Sequence, residues 1–141
     1  MAVLHPEEEK PFVREAVNEK SLVLKLSSGE TSFLLASDID LEAESDLIEK
    51  NLLLQAQILK SPHHGSKSSS SEAFLNKVQP KIVVVMAGRG NFYGVPNQEV
   101  LDRYKKLGAR ILRTDEEGAI QIVVDGKDIL IRTASEMRPS H

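Results

Sequence analysis

Cysteine is absent from the 141-residue chain, which excludes disulfide scaffolds, thiolate zinc sites and cysteine nucleophiles together. Aromatic residues are scarce at 4%, so the core has to be aliphatic. Histidine is nearly as rare. His5, His63, His64 and His141 are the only imidazoles, and any metal or acid–base chemistry must draw on them and on carboxylates. There is no excess of positive charge: 18 Lys and Arg against 21 Asp and Glu leave a net charge of −3. That argues against a protein that grips nucleic acid by bulk electrostatics, while leaving local basic patches open. No apolar run approaches the roughly 20 residues that span a bilayer. The opening residues run quickly into Glu7-Glu8-Glu9, the opposite of a secretory signal. A soluble segment is expected.

Apolar residues make up 40% of the chain, enough for one domain, which at this size hides roughly two-thirds of its unfolded surface. Residues 1–20 are charged and punctuated by Pro6 and Pro11, and predict an irregular lead-in with a short strand at most. Ser21–Leu26 and Thr31–Ala36 are apolar runs separated by Ser27-Ser28-Gly29-Glu30, a hairpin signal. Over Asp40–Leu54, Leu41, Ser45, Ile48 and Leu52 recur at helical spacing, with acidic residues in the first turn. A short strand at Gln57–Lys60 stops at Pro62, and a polar loop follows. Ser69 and Glu72 fit a capping box that opens a helix through Val78. The uninterrupted apolar run in Lys81–Ala87 predicts a strand covered on both faces.

Beyond a glycine-rich loop, Gly88–Gly94, a helix is expected from Pro96 to a C′ glycine at Gly108. Arg110–Arg113, Ala119–Val124 and Asp128–Thr133 are the closing strands, with turns at Asp115–Gly118 and Asp125-Gly126. The expected order, ββαβαβαβββ, makes a single α/β or α+β domain over 1–133 with a mixed sheet. A loose tail is expected over Ala134–His141.

The sharpest chemical feature is Ser61-Pro62-His63-His64-Gly65-Ser66, two adjacent histidines directly after a strand. Imidazole is a common zinc ligand, although a solvated polar loop would carry the same residues. Asp38 also follows a strand, at the carboxyl end where ligand sites of open α/β sheets gather. The competing role for Asp38 is to cap the helix beginning near Asp40. Ser66 and Lys67 could serve a phosphate, or belong to a flexible loop leading to a capped helix. Gly88-Arg89-Gly90-Asn91 resembles an anion-binding turn loosely, without the lysine or spacing of a P-loop. Arg113-Thr114-Asp115 could orient the loops through an ion pair. No Gly-x-Ser-x-Gly elbow occurs, so a serine-hydrolase triad has little support.

Phe33-Leu34-Leu35-Ala36-Ser37-Asp38, Leu59-Lys60-Ser61-Pro62-His63-His64-Gly65-Ser66, Asn91-Phe92-Tyr93-Gly94-Val95-Pro96 and Arg113-Thr114-Asp115 occur in an order and spacing that resemble a known family. The chain is similar, from about Val3 to Gly126, to the second half of the metallo-β-lactamase-like domain of ComEC-type competence proteins, which serve DNA uptake in bacteria. The resemblance implies an αβ/βα sandwich with metals at one sheet edge, here only about its second half. It implies Asp38 and His63 as ligands of a divalent metal, zinc or manganese, with His64 beside them in the catalytic group. Ser66, Lys67 and Asn91 would lie toward the phosphate. The implied chemistry is metal-activated hydrolysis of a phosphodiester, with DNA as substrate.

The departures carry their own expectations. The family's His-x-His-x-Asp-His cluster has no counterpart here, Ser37 replaces the usual glycine, and Val95 replaces a histidine. The chain is therefore expected to be a fragment or a remnant, to offer three metal ligands at most in Asp38, His63 and His64, and not to hydrolyse DNA alone. Half a sandwich exposes the apolar face its missing partner would cover. Self-association, or packing against a separate N-terminal half, is expected. The alternative to a partial hydrolase is a non-catalytic module kept for association or binding. Any membrane segments of a ComEC-like parent would lie outside this chain.

Overall fold

A computed structural model describes residues 1–5 and 21–137. Most of residues 1–20, and the last four residues with His141, lie outside the described residues.

The chain first builds a hairpin. Strands β2 (Val23–Ser28) and β3 (Thr31–Ala36) pair antiparallel from Ser28↔Thr31 to Val23↔Ala36, and Gly29-Glu30 form the two-residue turn. Gly29 has φ +58, and a Cβ there would lie 2.9 Å from the Gly126 carbonyl oxygen. Both the left-handed backbone and the close approach demand glycine at this tip. The short strand β1 (Ala2–His5) pairs antiparallel on the outer edge of β2.

From β3 the chain advances by three helical crossovers. Helix α1 (Leu41–Glu49) leads to β4 (Ile58–Lys60), α2 (Glu72–Val78) to β5 (Ile82–Val85), and α3 (Gln98–Lys106) to β6 (Arg110–Arg113). The sheet order is β1-β2-β3-β4-β5-β6, with β3 to β6 parallel. Crossovers of one hand in one direction put all their helices on the same face. One core accordingly joins Ala43 and Leu47 of α1, Phe74 of α2 and Tyr104 of α3 to Leu34 and Val83 of the sheet. The opposite face carries Ile58, Ile82 and Leu112. A second hairpin, β7 (Ile120–Asp125) with β8 (Asp128–Thr133), covers them with its alternate isoleucines.

The continuous run in β5 is thus explained. Val83 and Val85 join the helical core, while Ile82 and Val84 pack in the hairpin core. Fully burying such a side chain stabilises the fold by about 1.5–3 kcal/mol relative to leaving it exposed. The domain is mixed α/β with a mixed sheet and flanking helices, and the element order from β2 to β8 follows the sequence pattern.

Several boundaries differ from expectation. Helix α1 stops at Glu49 rather than Leu54. Asn51 takes the left-handed conformation with φ +50, and Leu52 reaches the core from irregular chain rather than from a helical face. The α2 cap is Ser71, whose hydroxyl accepts the Phe74 N–H at 3.1 Å, and not Ser69, which is buried. Helix α3 begins at Gln98 on an Asn97 cap, two residues past Pro96, while Gly108 does follow its end with φ +73. The expected turn at Asp115–Gly118 is a single helical turn, α4 (Thr114–Glu117), and Ala134–Met137 form another, α5. No helix among the described residues is long and apolar enough to cross a membrane.

Candidate functional site

Four parallel strands deliver four loops to one end of the sheet, the carboxyl end where open α/β sheets hold ligands. There Asp38 (after β3), His63, His64 and Ser66 (after β4) and Asn91 and Tyr93 (after β5) line one cleft of about 780 Å³. Thr114, directly after β6, completes it; its hydroxyl donates to the Ala87 carbonyl and accepts the Ala87 N–H, both at 2.9 Å.

The competition over Asp38 is resolved by its neighbour. Asp40 is the cap of α1, accepting the Ala43 N–H at 3.2 Å, which leaves Asp38 free of that task. Lys60 restrains the Asp38 loop instead. Its ammonium donates to the Ser37 carbonyl at 2.8 Å and lies 3.6 Å from Asp38 Oδ1. Burial holds the Lys60 pKa below the usual lysine value, with the Asp38 charge acting against it.

His63, His64 and Gly65 follow one another in the left-handed region, with φ of 43, 56 and 80. Non-glycine residues in that region carry local strain and gather at functional sites. The His63 N–H donates to the Ser37 carbonyl at 3.0 Å, stitching the histidine loop to the aspartate loop. A Cβ on Gly65 would meet the Pro96 ring at 2.8 Å, so glycine lets the loop after β5 close over it.

His64 Nδ1 lies 2.6 Å from the Met86 carbonyl oxygen. A carbonyl only accepts, so Nδ1 carries a proton, and Nε2 is the ring nitrogen that faces the cleft. Nε2 is 3.4 Å from Asp38 Oδ1. That is long for a hydrogen bond, but it matches the edge between two donors of one tetrahedral metal, about 3.4 Å for bonds of about 2.1 Å. His63 stands beside the pair, its ring centroid 6.4 Å from that of His64 and its Nδ1 3.5 Å from the Ser68 hydroxyl. Among the described residues no group of three or more His, Asp or Glu side chains could hold a metal ion. The donor chemistry thus fits one edge of a metal shell rather than a whole one.

The serine run is an anchored segment rather than a free polar loop. Ser69 and Ser70 are fully buried. The Tyr104 hydroxyl bridges Ser61 Oγ at 2.7 Å and Ser70 Oγ at 2.6 Å, tying the segment just before His63 to the serine run. The Glu44 carboxylate, also fully buried, accepts the N–H groups of Ser70 and Ser71. Arg103 donates to the Ser69 and Ser70 carbonyls. Desolvation pushes the Glu44 carboxyl above its ordinary value, opposed by the Ser71 and Ser70 hydrogen bonds, and burial likewise raises Tyr104.

Of the remaining expected residues, Ser66 lines the cleft and its hydroxyl lies 3.0 Å from that of Ser68. Lys67 pairs with Glu99 at 3.0 Å on the exposed surface. The Asn91 carboxamide is engaged within its own loop, donating to the Gly88 and Val95 carbonyls and accepting from the Tyr93 and Val95 N–H groups. The Arg113–Asp115 ion pair forms, holding the Asp115 carboxyl below the usual carboxylate range. Lys60, Tyr93 and Thr114 stand inside the motifs quoted from the sequence, but their place in the cleft was not among the expected site residues, and the Glu44–Tyr104 network had no sequence signal at all.

The class these observations define is a mixed α/β domain with an Asp–His cleft at the carboxyl ends of its parallel strands. No protein-family model matches the chain. Curated relatives place it more closely. It is 39% identical to ComE operon protein 3 of Bacillus subtilis over 84% of the chain, and 40% identical to Competence protein ComA of Neisseria gonorrhoeae over 74%. It is 31% identical to Recombination protein 2 of Haemophilus influenzae over 78%. These homologues indicate a competence-protein family. The chain spans only about 15% of the length of the first two and 14% of the third.

Proposed function

We propose that the chain is the portion of a ComEC-type, metallo-β-lactamase-like hydrolase domain that supplies the Asp38–His64 edge of its metal site, and that it is inactive alone. The observation that carries this reading is the 3.4 Å approach of His64 Nε2 to Asp38 Oδ1, with the other ring nitrogen committed to a carbonyl. A divalent cation such as zinc or manganese would supply Lewis acidity toward a phosphodiester of DNA. Asp38 and His64 would hold it on this side, whereas His63, the ligand that the resemblance implies, stands adjacent with its Nδ1 3.5 Å from the Ser68 hydroxyl. Lys60 keeps the Asp38 loop in place, and the Met86 carbonyl, accepting from Nδ1, turns Nε2 of His64 toward the cleft. Further donors come from the remainder of a longer protein, as the small share of the relatives' length suggests.

The test is metal per chain by elemental mass spectrometry after incubation with zinc or manganese, for the wild type, Asp38→Ala and His64→Ala. Bound metal lost in both variants, with no cleavage of a DNA oligonucleotide by the chain alone, is the expected result. A metal-free wild type, or metal retained in both variants, overturns the reading.

A second reading, association, is favoured by the open end of the sheet. The β7–β8 hairpin leaves Val3, which pairs with Leu24, 57% exposed on the side away from the helices, and Leu22, just before β2, is also exposed. A second copy or the rest of a sandwich would cover them. Sedimentation velocity over a wide concentration range tests this, a strictly monomeric chain speaking against self-association.

A further inference from the structure

We infer that Phe92 and Tyr93 form a stacking platform for the bases of single-stranded DNA at the rim of the Asp38–His64 cleft. The inference rests on the phosphodiester reading above and adds how the substrate is held. Aromatic side chains are scarce in this chain, yet two of them stand next to each other in the loop after β5, with Phe92 fully exposed and Tyr93 89% exposed. The loop that carries them is braced. All four hydrogen bonds of the Asn91 carboxamide close it from Gly88 to Val95, so the rings are presented from a fixed base and lose little freedom on binding.

The cleft beside the platform suits a base better than a bare phosphate chain. Met86, Ala87 and Val95 give it an apolar wall, which Tyr93 continues toward the rim. The nearby cations are engaged: Lys60 with Asp38 and Ser37, Lys67 with Glu99, and Arg89 with the Asp115 carbonyl. With a net charge of −3 as well, counterion release contributes little, and affinity has to come from base–aromatic contact. That selects unpaired strands, because a duplex buries the faces of its bases.

Fluorescence anisotropy in EDTA tests the platform without metal or cleavage, using an oligothymidine of about 12 nucleotides. The comparators are an abasic strand with the same phosphates and a duplex of the same length. Oligothymidine should bind at least about tenfold more tightly than either comparator. Phe92→Ala and Tyr93→Ala should each weaken it about 5- to 100-fold, leave the melting temperature unchanged, and leave abasic binding unchanged; Phe92→Trp should retain it. Equal binding of the abasic strand, no detectable binding of oligothymidine, or unaltered affinity in both alanine variants overturns the inference. So does self-association dissolved by Phe92→Ala without base-dependent binding, which would make the rings a protein contact. Metal bound without base-dependent binding sinks this inference alone, and the reverse sinks only the metal reading.

Discussion

Tyr104→Phe removes one oxygen from a fully buried side chain and almost no volume, so it isolates the hydroxyl bridge that steadies the histidine loop. In the wild type that hydroxyl joins Ser61 Oγ and Ser70 Oγ at 2.7 and 2.6 Å. Without it Ser70 Oγ loses the bond to the ring, and Ser61 Oγ keeps only a long 3.4 Å contact to the Pro62 carbonyl. A buried polar group left without its partner costs about 1–3 kcal/mol. At about 2–4 °C per kcal/mol for a chain near this size, the melting temperature should fall by about 2–12 °C.

A double-mutant cycle sharpens the assay. Removing both partners of a buried bond costs far less than stranding one, so Tyr104→Phe combined with Ser70→Ala should destabilise less than the sum of the two singles. The alkaline limb adds a sign. Burial raises the Tyr104 pKa above 10.0, so above that pH the unfolded chain releases its proton first. Stability should therefore fall as pH rises there, and less steeply in Tyr104→Phe. Strict additivity in the cycle, or an unchanged melting temperature, would mean that the hydroxyl bridge does not stabilise the fold.

Gly65→Ala should destabilise by about 2 kcal/mol or more, from strain at φ +80 and the 2.8 Å clash with Pro96, read by urea denaturation. Asp40→Ala should lose about 0.5–2 kcal/mol of stability for the missing cap, whereas Asp38→Ala should lose less, because Asp40 and not Asp38 caps α1; thermal melts of the two compare them directly. Because Arg113 holds the Asp115 carboxyl below its ordinary 3.8, the folded chain binds fewer protons than the unfolded one in acid. Stability should decline as pH falls through that depressed value, and calorimetry from pH 5 to pH 2 should show a shallower decline in Asp115→Asn.

What was legible in the sequence was whatever depends on periodicity and local turn chemistry. The glycine turn at Gly29-Glu30, the two-faced burial of β5 and the strand-end position of Asp38, His63 and His64 all follow from patterns a few residues long. Less legible was what tertiary contact decides. Among four consecutive serines nothing local marks Ser71 rather than Ser69 as the cap, because burial of Ser69 and Ser70 makes that choice. Leu52 keeps helical spacing but packs from outside the helix, ended at a left-handed Asn51. The Glu44 and Tyr104 bonds to Ser70 join residues 26 and 34 positions apart, a separation at which no sequence pattern signals contact.

If Asp38 and His64 form one edge of a metal site, as proposed, ¹⁵N NMR of the imidazole nitrogens during titration with zinc reads it at the atoms concerned. His64 Nε2 should shift on binding while Nδ1 keeps its proton on the Met86 carbonyl, and Asp38→Ala should abolish the shift. A His64 signal that ignores zinc, or responds equally in Asp38→Ala, would contradict the proposal.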